Sequence, residues 1–311
     1  MGSIHIEINY LKREMIHLKY IMAQPAVLRF EWEVEICVYA MLKIGIKKED
    51  IVILFSKHKD EVVNNIKKLG VNVHVYDDNR FDKTYIPSIK PYLMYRYLNE
   101  DKTRENETYF FMDSDVIINE EIEIPNPLEG VWYGSDCGGY LNYDYIIQCE
   151  DGQQLIKDMA EIVGISIDDV KRMNKNSIGA QYIMSKPTSE YFKKVYEDSI
   201  KLWLYVKDRQ TNYQKWCQEM VATLWNMPYF EKMPRVSKDM EFTWATDDIK
   251  KWDERKIFHN AGVTQDRTEL FFKGTYTNST PYEVNINNYS KDFASYNYVK
   301  LIHETKQFLN K

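Results

Sequence analysis

Two aspartates one residue apart, Asp113 and Asp115, close an apolar run in the segment from Tyr109 to Glu121, "YFFMDSDVIINEE", and a second apolar run follows at once. Successive strand side chains point to opposite faces, so the two carboxylates converge only if the chain turns at Ser114. Converging carboxylates repel, and a cation relieves them. A hard divalent ion, Mn²⁺ or Mg²⁺, suits the pair, because such ions take oxygen ligands and commonly share them with substrate phosphates. An Asx-type turn closing a buried strand is the alternative that this short motif leaves open.

Two further polar residues sit in apolar company. Glu219 in "WCQEMVATLW" lies between Trp216 and Met220 on an otherwise apolar helical pattern, where an unpaired carboxylate is costly. It is the best available catalytic carboxylate, with a buried pair to a lysine or arginine as the alternative. Gln181 in "IGAQYIM" precedes an apolar run. A buried amide must be hydrogen-bonded, either by backbone or by the hydroxyls of a ligand.

The elements needed to position these groups are legible in the periodicity. Met15–Ala23 reads as a strand, Phe30–Ile46 as a helix stopping near Gly45, Asp50–Ser56 as a strand, "KDEVVNNIKKLG" as a helix ending at Gly70, and Val71–Asp78 as a strand. Tyr85–Leu98 supplies another helix, entered at Pro91, before the strand that ends at Asp113. Such alternation predicts a mostly parallel sheet covered by helices on both faces, with ligands bound beyond the carboxyl ends of its strands. The second half is less regular. Gly130–Tyr145 is rich in glycine and aromatics, "DGQQLIKDMAEIVG" is helical, Asn176–Ser185 reads as loop then strand, Ser189 to about Val206 and Asn212–Met227 as helices, and Lys256–Tyr282 as turns and short strands. Residues 1–125, ending in the aspartate motif, and 126–311 form two halves fused into one continuous unit, with no internal repeat or long linker.

Composition excludes several classes. With 311 residues, 44% of them apolar, the chain can bury a large core. A net charge of −6 gives no global basic field for nucleic acid or anionic membrane. Cys37, Cys137, Cys149 and Cys217 lack C-x-x-C spacing and read as free thiols of a reducing compartment. No apolar stretch is long enough for a membrane span and none forms a signal-peptide core, so the expectation is a cytoplasmic protein. The 24 tyrosines and 7 tryptophans pack a core or offer stacking platforms for sugars.

Four segments, "SIKPYLMYRYL", "FFMDSDVII", "KWCQEM" and "FHNAG", occur in an order that resembles the GT-A glycosyltransferases, and within them the hydroxyproline O-arabinosyltransferase and peptidyl-serine galactosyltransferase group. The resemblance implies a GT-A fold, a Rossmann-like α/β catalytic domain, and a nucleotide-sugar donor, usually a UDP-sugar. It also implies that His259 of "FHNAG" joins Asp113 and Asp115 on Mn²⁺, with Gly262 supporting the segment. Asp115 is then the direct metal carboxylate, and Asp113 lies nearer the ribose or binds through water. An imidazole ligand suits Mn²⁺ better than Mg²⁺. Lys273 in "FFKG" reaches the donor phosphates, or is a solvated lysine. Lys90, near a helix start, contacts phosphate or uracil, or is a surface lysine. Gln181 contacts sugar hydroxyls. Glu219 deprotonates the acceptor hydroxyl if the reaction inverts, or orients the acceptor and stabilises charge on the sugar if it retains. The eukaryotic relatives are anchored in the secretory pathway and this chain shows no anchor, so the acceptor class does not carry over: a protein, a glycan or a modified base in DNA remain open.

Two rivals compete with transfer. A haloacid-dehalogenase-type phosphatase also ends an apolar strand in D-x-D, using the first aspartate as nucleophile, with Asp247 and Asp248 as its later acidic pair. That class carries the motif on its first strand, whereas here several strand and helix units come first, and "TWATDDIKK" follows no evident apolar strand. The other rival is a non-catalytic sugar-nucleotide or glycan-binding module, disfavoured by the intact motif and the late histidine.

Overall fold

The computed structural model describes residues 17–124 and 127–311. Met15 and Ile16 of the first expected strand, and the expected 125/126 boundary between halves, lie outside the described residues.

Strands and helices alternate through the first half as the periodicity predicts: β1 Leu18–Pro25, α1 Leu28–Lys43, β2 Ile51–Ser56, α2 Asp60–Lys67, β3 Asn72–Tyr76, α3 Ile89–Glu100 and β4 Thr108–Met112. β2 is buried at every position, as a strand covered on both faces must be. α3 starts two residues before Pro91, whose missing N–H falls among the first-turn donors that have no intrahelical partner in any case. After the aspartate turn come β5 Val116–Ile118, β6 Val131–Asp136, α4 Gly138–Leu141, α5 Tyr143–Gln148, α6 Gly152–Val163, α7 Ile167–Arg172, β7 Ile178–Ser185 and α8 Ser189–Val206. The chain closes with α9 Gln218–Tyr229, β8 Met233–Val236, β9 Phe242–Trp244, α10 Lys251–Glu254, β10 Ile257–His259 and α11 Ser295–Leu309. The helix expected over Asn212–Met227 therefore begins at Gln218, after a 3₁₀ turn at Lys215–Cys217.

Seven strands form the central sheet in the order β3-β2-β1-β4-β7-β6-β8. β7 alone runs against the rest, antiparallel to both β4 and β6. The chain moves outward from β1 to β3 through α1 and α2, then returns through α3 to β4 on the other side of β1. That reversal makes the β1/β4 seam a switch point, where the helices on either side diverge and leave a crevice. On one face α3 packs with α8, and α8 with α9; on the other α1 packs with α2 and α11. One hydrophobic core runs through both halves, from Ile21 and Leu54 to Trp225 and Ile302, so the chain folds as one domain. β6 carries no clear strand signal because Gly134 interrupts it. The glycine is required, since a Cβ there would meet Ile178 Cβ at 2.7 Å.

A separate three-stranded sheet, β5-β10-β9, covers the carboxyl end of β4. Its antiparallel register sets His259 opposite Val116, the residue after Asp115. Among the described residues no helix is long and apolar enough to cross a membrane.

Candidate active site

β4 delivers Asp113 to the switch point. The turn expected at Ser114 is present, closed by Val116 N–H donating to the Asp113 carbonyl at 3.3 Å. β10 then comes alongside, and Asn260 N–H donates to the Asp115 carbonyl at 3.0 Å, fixing the histidine strand against the turn. Asp113, Asp115 and His259 each present a ligand atom, all within 4.8 Å of one another. A cavity of about 540 Å³ opens over them, lined from the first half by the end of β1 and from the second by Glu219, Trp216 and Trp244.

The charges in the cavity are paired unequally. Lys90 Nζ donates to Asp113 Oδ1 at 2.8 Å and lies 3.0 Å from Glu219 Oε2, bridging two carboxylates. Burial works against its positive charge, but the two carboxylates outweigh burial and hold the ammonium above the ordinary lysine value. Glu219 is buried in the first turn of α9. Burial raises its carboxyl above the ordinary range, Lys90 opposes the shift and Asp113 adds to it. Thr223 Oγ1 donates to Glu219 Oε1 at 3.3 Å. The Glu219 N–H donates to Tyr85 Oη at 2.8 Å, so a tyrosine distant in sequence anchors the helix start.

Asp115 has more partners. Lys273 Nζ contacts Oδ2, and His259 Nε2 lies 3.4 Å from Oδ1. Burial alone would raise its carboxyl; Lys273 and His259 reverse that and hold it well below the ordinary value. Behind the turn stands Glu33 of α1, buried, accepting from Ser114 Oγ at 2.8 Å and from Arg29 Nε at 3.1 Å. Burial, then the Asp115 charge, raise the Glu33 carboxyl, against the pull of Lys273.

Four carboxylates, Glu33, Asp113, Asp115 and Glu219, thus face three fixed cations, Arg29, Lys90 and Lys273. With every carboxylate ionised the cluster carries one negative charge in excess, and Asp113 and Asp115 at its centre suit a cation. Lys90 takes only one oxygen of Asp113, and the buried Nδ1 of His259 has no hydrogen-bond partner. His259 is held by its ring neighbours, stacked at 5° to Trp244 with centroids 6.1 Å apart. An oxygen-rich donor set with one imidazole fits Mn²⁺ or Mg²⁺.

Of the residues singled out from sequence, Lys90, Asp113, Asp115, Glu219, His259 and Lys273 line this one cavity. Gln181 stands apart. It is fully buried, its Nε2 donates to Ser135 Oγ at 2.6 Å, its Oε1 has no partner, and its neighbour Ala180 lines the cavity instead. Gly262 follows the histidine strand with φ +83°, a left-handed conformation that favours glycine. Ala261 rather than Gly262 faces the cavity. Asp247 and Asp248 are engaged in local structure: Asp247 accepts from Trp244 N–H at 3.0 Å and Asp248 from Lys250 N–H at 2.9 Å. A short strand, β9, does precede them, contrary to the sequence reading, yet neither carboxylate lines the cavity.

Sequence reasoning missed Glu33, Arg29 and Tyr85. Glu31, Glu33 and Glu35 recur along an apolar helix, and that recurrence was a usable signal: all three are buried. Nothing local marked Tyr85.

No protein-family model matches the chain, and no curated relative matches it by sequence. Among solved structures it is similar to the bifunctional glycosyltransferase WbbM, at 13% identity and TM-score 0.48, over 97% of this chain. The match spans only 52% of WbbM, about half its length. It is also similar to the galactosyltransferase LgtC in complex with donor and acceptor sugar analogues, at 11% identity and TM-score 0.42, over 92% of this chain and 95% of that one. Mouse xyloside xylosyltransferase 1 shows 11% identity and TM-score 0.41, over 79% of this chain and 97% of the other. Likenesses this distant assign neither an activity nor a substrate to the chain.

Proposed function

We propose that the protein is a metal-dependent GT-A glycosyltransferase that moves a sugar from a UDP-sugar to a hydroxyl acceptor. The observation that carries the reading is the convergence of Asp113, Asp115 and His259 at the β1/β4 switch point, inside a cavity that also holds the buried Glu219. The four segments that carry the motif resemblance support it too. "SIKPYLMYRYL" supplies Lys90, "FFMDSDVII" the aspartates, "KWCQEM" Trp216 and Glu219, and "FHNAG" His259, and all reach the same cavity.

Asp113, Asp115 and His259 would hold a divalent ion, preferably Mn²⁺, which stabilises the charge developing on a diphosphate leaving group. Lys273 and Arg29 add fixed positive charge beside it. Glu219 would face the sugar and acceptor. A carboxyl raised by burial is a better proton acceptor than an exposed one, and Lys90 keeps it oriented. Residues 1–125 supply the donor side. Residues 126–311 supply the acceptor side and return His259 and Lys273 to the metal.

A screen of UDP-sugars by thermal shift, with and without Mn²⁺, tests the reading, because a ligand that binds the native state alone raises apparent stability. A UDP-sugar should raise the melting temperature only with the metal present. Mn²⁺-dependent turnover of a generic phosphomonoester, without any UDP-sugar effect, would favour the phosphatase reading.

A further inference from the structure

We infer that the cavity mouth carries a saccharide-binding acceptor subsite whose platform is Trp216. This inference rests on the transfer reading above and names its acceptor class.

Trp216 is 54% exposed, yet it is held at three points. Tyr85 Oη donates to its carbonyl at 2.6 Å, its own Nε1 donates to Gln214 Oε1 at 2.9 Å, and its ring leans on Tyr140 with centroids 5.5 Å apart at 39°. Tyr85 is itself buried and stacked on Trp203 at 5.1 Å and 19°. The same Tyr85 hydroxyl that takes the Trp216 carbonyl accepts the N–H of Glu219. One buried phenol therefore fixes the stretch of backbone that carries both the exposed ring and the buried carboxylate. A tryptophan serving only the core would be covered. An immobilised, exposed one loses little entropy when a ligand stacks on it.

The chemistry of the surroundings selects the ligand. The face of a pyranose ring presents C–H bonds with partial positive charge, which meet the negative face of an indole. Its edge presents hydroxyls, which need acceptors, and the Glu219 carboxylate lines the same cavity. An exposed aromatic platform with a carboxylate acceptor beyond it matches a saccharide, which has an apolar face and hydroxyls at its edge. The competing occupant of the same ring is the uracil of the donor.

The test uses Trp216→Ala and Trp216→Phe in the full chain. Binding of soluble methyl glycosides of glucose, galactose, mannose and xylose is followed by saturation-transfer NMR with UDP and Mn²⁺ present. The UDP–Mn²⁺ thermal shift is measured in parallel. At least one glycoside should show transfer to its ring C–H protons in the wild type. Its affinity should fall by about ten-fold in Trp216→Ala and recover most of that in Trp216→Phe, the scale of a lost aromatic contact. The UDP–Mn²⁺ shift should be the same in all three proteins. Equal glycoside binding by Trp216→Ala, or no glycoside binding by a wild type that still responds to UDP and Mn²⁺, overturns the inference alone. Loss of the UDP response in Trp216→Ala also overturns it, giving the ring to uracil. A wild type with no UDP–Mn²⁺ response removes the transfer reading and the inference together.

Discussion

Asp115 and Glu219 are buried almost equally, at 5% and 2% exposure, in one cavity, yet their carboxyls are shifted in opposite directions. The difference lies in their partners. Asp115 sits between Lys273 and His259, and their attraction exceeds the cost of its burial. Glu219 shares a single ammonium with Asp113, whose own charge pushes the other way. Burial by itself therefore does not set the charge of a carboxylate here; the number of countercharges does. One region is arranged to keep an anion charged, as the metal ligand proposed for it must be. The other keeps a carboxylate ready to take a proton.

The largest test of that contrast is Asp115→Asn. We expect it to abolish the Mn²⁺-dependent UDP shift and to lower stability in urea by about 3 kcal/mol, because Lys273 loses its anionic partner. The figure is the low end for a broken buried pair, since 26% of the Lys273 side chain reaches solvent. An unchanged UDP response would remove Asp115 from the proposed metal site.

Glu219→Gln comes next. It keeps size and hydrogen bonding and removes the charge, so UDP release from the UDP-sugar selected by the screen should fall by roughly 10²-fold while the UDP–Mn²⁺ shift persists. Normal turnover would leave Glu219 as the structural partner of Lys90 alone. His259→Ala should weaken Mn²⁺ binding by about 10 to 100-fold, read from free Mn²⁺ by electron paramagnetic resonance. A wild-type metal affinity would make the histidine a packing partner of Trp244.

The smallest effects are in the pH dependence of stability, and they have opposite signs. The Asp115 carboxyl is lowered from an ordinary value of 3.8, so its contribution is present above that value and is lost as pH falls below it. Glu219 is raised from 4.5, so the folded state holds its proton longer than the unfolded chain, and stability falls as pH rises from that value toward the folded one. Urea midpoints from pH 3 to pH 7, compared across wild type, Asp115→Asn and Glu219→Gln, should show a shallower acid-side decline in the first variant and a shallower decline above the ordinary carboxylate range in the second, where Glu33 still contributes. Parallel profiles for all three proteins would erase the contrast.

Much of this was legible without coordinates. The alternation β1 to β4 is written in apolar periodicity, and the aspartates stand where a strand must end, because those signals depend only on near neighbours along the chain. The same local logic located Glu219, a lone carboxylate in an apolar helix, and it left open the pairing with a lysine that the structure supplies in Lys90. The motif resemblance pointed to His259. What tertiary structure decided is who meets whom. That Tyr85, more than a hundred residues earlier, holds both Trp216 and Glu219, that Glu33 on α1 holds Ser114, and that Gln181 turns to Ser135 are consequences of packing between distant segments. The sequence by itself determined the alternating strands and helices of the first half and the carboxylates at the end of β4. Only the fold decided which of those carboxylates keep their charge, because that depends on cations delivered by α3 and by the segment after β10, at separations no local pattern encodes.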